Sequence, residues 1–91
     1  MNGEPHIWIN YPAFQSDTKR LSVEQVGLLM TLTMTNLGPE GPLPLDQEGM
    51  RLAVKCSEDL WRRCWPALRR FFEPGGMPWL VASYEAPEDT L

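Results

Sequence analysis

The stretch that most limits what this chain can become is Cys56 to Phe72, CSEDLWRRCWPALRRFF, which holds two Trp, two Phe and four Arg. At ~100° per residue, Leu60, Trp61, Cys64, Trp65, Leu68, Phe71 and Phe72 share one broad face, while Arg62, Arg63, Arg69 and Arg70 share the opposite one. A helix of this composition must bury one side and offer the other. Ser57 supplies an N-cap hydroxyl, and Glu58 and Asp59 place carboxylates in the first turn, where the helix dipole favours them. Pro66 removes one backbone donor and disfavours helical dihedrals at Trp65, at about 3 kcal/mol in an unrelieved interior, so a kink or two abutting helices is expected there.

The remaining segments read as packing around that stretch. IWINY at 7 to 11 alternates like a short strand that Pro12 ends, and AFQSDTKRLS after it is polar and turn-prone. Ser22 and Gln25 form a capping box, so a helix starts at Val23. Val23, Val26, Met30 and Met34 keep helical spacing, and Leu28, Leu29 and Leu32 fill other faces, which predicts a helix buried nearly all round with Gly27 permitting a close approach. Gly38 and Pro39 end it. Leu43 and Leu45, alternating with Pro, suit a short edge strand, and Asp46 caps a second helix over Gln47 to Val54. A tight turn at Lys55 and Cys56 then leads into the Ser57 helix, the helix-turn-helix arrangement. Phe71 to Tyr84, FFEPGGMPWLVASY, reads as strand, turn and strand, a β-hairpin wing with Met77, Trp79 and the Gly-rich turn at its tip.

The expected fold is therefore α+β: a small winged helix-turn-helix of three helices with a short β-hairpin wing. Residues 1–84 form the single domain, and 85–91 (EAPEDTL) an acidic flexible tail. Four Trp invite a stacking platform for single strands, but Trp61 and Trp65 fall on the apolar helix face and Trp8 and Trp79 in strands, which favours core roles.

The pieces WINY, SDTKRLSVEQVG, GPLPLD, LAVKCSEDLWRRCWPALRRFF and WLV, spread over almost the whole chain, resemble the YdaU-like domain of unknown function found in phage and prophage proteins. That resemblance implies a winged-helix module of the replication-associated kind, read as DNA-binding. Many such proteins continue into a longer C-terminal region, and this chain ends before one, so a replication or helicase-loader segment is not expected with it.

Charge sorts the partners. From Arg51 to Phe72 six basic residues face two acidic ones, a local +4 in a chain of net −4, so the remainder carries −8. In a helix-turn-helix the second helix enters the major groove, so Arg62 and Arg63 are expected to reach bases of double-stranded DNA and Lys55, Arg51, Arg69 and Arg70 its phosphates. The bland alternative is a solvated face whose Arg side chains pair with Glu58, Asp59 or the acidic tail, at ~0 to 1 kcal/mol per pair. The first-turn carboxylates, and a wing tip carrying Glu73 without any basic residue, favour a different partner: a host or phage protein, such as a nucleic-acid enzyme or a CRISPR-type defence complex, whose basic groove an acidic surface would cover. Self-association through an exposed Trp or Leu patch, giving a homodimer, is a third reading.

No enzyme chemistry, cofactor or metal is expected. His6 is the only histidine, and Cys56 and Cys64 have neither further ligands for zinc nor a histidine to activate them. Eight residues of helix hold these cysteines too far apart for a disulfide, so free thiols and a cytoplasmic setting are expected. The uncharged run Val26 to Pro39 falls short of the ~20 apolar residues of a membrane span.

Overall fold

The structure is a computed structural model that describes residues 6–39 and 41–83. Expectations for the acidic tail 85–91 and for Tyr84 lie outside these residues. In chain order the elements are strand β1 (His6–Ile9), helices α1 (Tyr11–Thr18), α2 (Val23–Leu37), α3 (Gln47–Ala53) and α4 (Glu58–Leu68), a 3-10 helix (Arg69–Phe72), and strand β2 (Leu80–Ser83).

Each helix begins on a side chain suited to the job. Asn10, Ser22, Asp46 and Ser57 all accept a hydrogen bond from the backbone N–H three residues on. Ser22 and Gln25 complete the reciprocal capping box, since the Ser22 backbone N–H donates to Gln25 Oε1 at 2.8 Å. The turn between α3 and α4 is a Schellman motif. Cys56 N–H reaches back to the Arg51 carbonyl, Lys55 N–H to that of Leu52, and Lys55 itself takes the left-handed conformation with φ 58°.

The core lies between α2 and α4. α2 contributes Leu28, Leu29 and Leu32, α3 contributes Met50, and α4 contributes Trp61, Cys64 and Leu68. Trp79, with no exposed surface, closes it from the other end, edge-on to Phe14 at 4.8 Å and to Phe71 at 6.4 Å. Thr33 is buried as well, and its hydroxyl is satisfied by donating to the Leu29 carbonyl at 2.8 Å.

The expected winged helix-turn-helix is overturned: the described chain is mostly helical, with four α-helices where three were expected and without a β-hairpin wing. Phe71 and Phe72 do not form a strand, because they continue α4 as a 3-10 helix that sinks Phe71 against Trp79. Glycine closes this bend. A Cβ on Gly76 would clash with the Arg70 carbonyl, so the chain can fold back under the 3-10 helix only there. The strand that follows pairs with the amino-terminal strand instead, antiparallel, with Ile7 opposite Ala82 and Trp8 opposite Val81. Trp79, expected in a strand at the wing tip with a core role favoured, is a core residue without a wing around it.

Smaller expectations fail for related reasons. The polar run after Pro12 is helix α1, held by the Asn10 cap and a proline in its first turn, although its hydrophobic periodicity is weak. No strand forms at 41–46, where Leu43 turns inward and Leu45 is 99% exposed. α2 is buried on one side only: Val23 is 89% exposed, Met34 half exposed, and a Cβ on Gly27 would meet nothing within 4 Å, so that glycine permits no close approach. Trp8 is about half exposed and does not cover the core. Pro66 lies inside α4, which ends two residues later and tightens into the 3-10 helix.

Candidate nucleic-acid interface

Because α4 buries Trp61, Cys64 and Leu68, its opposite side carries Arg62 and Arg63, and the 3-10 helix extends that surface with Arg69 and Arg70. All four are exposed. Seven residues separate Arg62 from Arg69 and Arg63 from Arg70, so at ~100° per residue they stand in two near-parallel columns.

The columns differ in their electrostatics. Arg63 Nη1 donates to Glu24 of α2 at 3.1 Å, and its Nε lies 3.5 Å from Asp59, one turn earlier on α4. Arg70 bridges to α1, 3.4 Å from the Asp17 carboxylate and 3.0 Å from the Asp17 carbonyl, while its guanidinium sits 4.0 Å from the Phe71 ring centroid. Among the described residues, Arg62 and Arg69 make no ion pair. The outer column therefore keeps its charge available, and the inner one shares it with three carboxylates. The pairs with Glu24 and Asp59 are exposed, so each contributes ~0 to 1 kcal/mol and yields readily to a competing anion, whereas the Asp17 carboxylate is half-buried.

The two other expected contacts part company. Arg51 has only 14% of its side chain exposed: it pairs with Glu48 at 2.7 Å and donates to the Cys56 carbonyl at 2.8 Å. Its guanidinium fastens α3 to the turn, and its hydrogen bond to Glu48 lowers the pKa of that carboxyl. Arg51 is therefore a structural residue, expended on the fold. Lys55 is exposed at the left-handed turn position, and among the described residues it has no ion-pair partner.

Beside Arg69 lies a feature that sequence reasoning missed, an open groove of about 390 Å³. Leu43 and Met50 line its depth, and Pro44, Trp65 and Phe72 its walls, with the exposed Leu45 at the edge. Trp65 cannot act as a stacking platform, because Trp61 covers one face (4.9 Å, 11° between planes) and Phe72 also stacks on it (5.9 Å, 27°). The Pro-Leu alternation of GPLPLD pointed the other way, since a strand would place Leu43 and Leu45 on one face, whereas Leu43 is buried and Leu45 exposed. The Glu24–Arg63 and Asp17–Arg70 pairs carried no sequence signal, since 39 and 53 residues separate the partners.

Among the described residues, no group of three His, Cys, Asp or Glu could hold a metal ion, and no helix is long and apolar enough to cross a membrane. Burial pushes both Cys56 and Cys64 thiols up, which works against nucleophilic chemistry. Compared with models of known families, with curated proteins and with solved structures, the chain gives no match.

Proposed function

We propose that the protein is a cytoplasmic nucleic-acid-binding module that grips the phosphate backbone of DNA through the arginine surface of α4 and the 3-10 helix. The phage or prophage setting, in replication or transcription regulation, is proposed on the resemblance to the YdaU-like domain. The observation that carries the reading is the exposed outer column: Arg62 and Arg69 project from rigid helical backbone with no carboxylate partner among the described residues. The helical backbone that carries them is already ordered, so only side-chain freedom is lost when a polyanion arrives, and each phosphate they neutralise releases counterions. Lys55 extends the same charge past the α4 amino terminus.

Titration of a labelled duplex at several salt concentrations tests this. Two phosphate contacts predict a slope of log K against log salt near −1.8, and four predict about −3.6. Substituting Arg62→Gln and Arg69→Gln together removes about 1.8 from the slope. Absence of affinity for duplex and single strand alike at low salt, with the fold intact by circular dichroism, removes the reading.

One observation favours a protein partner instead. Asp17, Glu24 and Asp59 stand among the four arginines, so the surface carries both signs, and on a chain of net −4 such a mixed face suits the basic groove of a host or phage protein. Under that reading Glu24→Gln and Asp59→Asn weaken capture of the partner, whereas under the first they strengthen DNA binding.

A further inference from the structure

We infer that the groove beside Arg69 is a pocket for one unpaired nucleobase, so that the strand this module prefers is single-stranded and carries a base with an exocyclic amine at that position. The inference rests on the nucleic-acid reading above and adds to it the ligand of a site that reading does not use.

Two observations join the groove to the arginine surface. Arg69 belongs to both, as the second member of the unpaired column and as a groove-lining residue. A strand whose phosphates lie along Arg62 and Arg69 therefore runs past the groove mouth, and a base of that strand needs only to swing out of its stack to enter. The groove also has the mixed chemistry a base requires. Trp65, Phe72 and Pro44 give apolar walls, and the arrangement of apolar lining with a few polar groups is that of small-ligand sites in general. The polar groups are complementary to a base edge. Asn36 Oδ1 is used by the Leu43 N–H at 2.9 Å, which leaves the amide N–H₂ to donate. The Glu73 carboxylate is an acceptor at the same groove.

Glu73 decides the class of base. A carboxylate among the lining residues repels phosphate, so the strand's backbone stays on the arginine side and the base points inward. It accepts from an exocyclic amine, as of cytosine, and finds none on thymine. A duplex cannot use the groove without losing a base pair, and an unpaired base enters without that loss.

The test compares labelled ten-residue strands of deoxycytidine, of thymidine and of abasic sugar-phosphate with a duplex hairpin, each titrated at low salt. Trp65 is already covered by Trp61 and Phe72, so the base packs on the Phe72 ring, and stacking on an aromatic side chain is worth about 5- to 150-fold per base, from about 1 to 3 kcal/mol at 1.4 kcal/mol per tenfold. The deoxycytidine strand is expected to bind at least fivefold more tightly than the abasic one, and Glu73→Gln to reduce its advantage over thymidine. Two neutral variants check the groove without touching the arginines. Leu45→Asn alters a side chain that is 99% exposed, and Phe72→Leu keeps apolar bulk while removing the ring; both are expected to lower the ratio of intact to abasic binding while the salt slope holds. Equal binding of intact and abasic strands overturns the groove inference and leaves the arginine reading standing. No binding by any strand or duplex overturns both. A concentration-dependent dimer abolished by Leu45→Asn assigns the groove to a second copy, and so overturns the inference as well.

Discussion

The indole N–H of Trp79, on a residue with no exposed surface, donates to the carboxylate of Asp17 at 3.1 Å. Asp17 is the last-turn residue of α1, and its carbonyl and carboxylate also take the two terminal nitrogens of Arg70. One side chain thus ties α1 to the start of β2 and to the 3-10 helix. Trp79 forces that arrangement, because burying an indole without a partner for its N–H leaves a polar group desolvated.

Removing the acceptor should therefore cost more than an exposed ion pair. Asp17→Ala is expected to lower stability by about 1 to 3 kcal/mol, the penalty of an unsatisfied buried donor. Asp17→Asn, which retains an oxygen acceptor and loses only the charge opposite Arg70, is expected to cost about 1 kcal/mol or less. Urea denaturation followed by tryptophan fluorescence separates the two, and equal losses would count against the indole bond as the dominant interaction.

Two backbone positions carry residues that suit the other's place. Gly27 sits in the interior of α2 with open space around it, and Lys55 occupies the left-handed position of the α3–α4 turn at φ 58°. Gly27→Ala is expected to stabilise by about 0.5 to 1 kcal/mol, since alanine loses less backbone freedom in a helix. Lys55→Gly is expected to stabilise by about 1 kcal/mol through relief of the left-handed strain. A fall in melting temperature for either would show that the residue has a packing role the structure does not reveal.

The legible parts of this fold were the local ones. Ser22 with Gln25, Asp46 and Ser57 announced three helix starts through side chains that act within three residues, and the apolar face of α4 followed from its spacing alone. What failed was long-range. The hairpin expectation at 71–84 assumed that a strand pairs with its neighbour across a Gly-rich turn, whereas β2 found its partner at the other end of the chain, where Ile7 meets Ala82. α1 was hidden because its stability comes from the Asn10 cap and from Phe14 and Asp17 reaching Trp79, sixty-two residues beyond Asp17, and not from its own weak periodicity. The arginines were found by pattern, but which of them remain available depends on carboxylates from α1 and α2.

Both thiols are expected to be silent at neutral pH. Burial raises the Cys56 pKa, against a smaller opposing pull from Arg51 and Arg63, and burial followed by Glu24 raises that of Cys64. The folded state therefore holds these protons more tightly than the unfolded chain. The stability this gives is complete below the ordinary thiol value of about 8.5 and is lost as pH rises through the folded-state values. Melting temperature should accordingly be flat with respect to these groups from pH 6 to 8 and fall on the alkaline side, with the fall reduced in Cys56→Ser. A thiol reagent at pH 7.5 should label neither cysteine in the fold and both in urea; rapid labelling of Cys64, at 1% exposure, would contradict its burial.

The inner arginine column makes the sharpest demand on the DNA-binding reading. Arg63 is held by Glu24 at 3.1 Å and Asp59 at 3.5 Å, so a phosphate must displace two carboxylates to reach it, and the same carboxylates repel the backbone as it approaches. Replacing them with neutral isosteres, Glu24→Gln with Asp59→Asn, removes both effects while the Ser57 and Ser22 caps stay in place. Duplex affinity at low salt is then expected to rise about tenfold, and the salt slope to steepen by about 0.9 as Arg63 joins Arg62 and Arg69 at the phosphates. The gain must depend on Arg63: adding Arg63→Gln to the double variant returns the slope to its starting value. If affinity rises without any change in slope, the carboxylates act only through general repulsion and Arg63 never reaches a phosphate. If affinity falls, the acidic side chains themselves are part of the contact surface, and the partner is a basic protein groove.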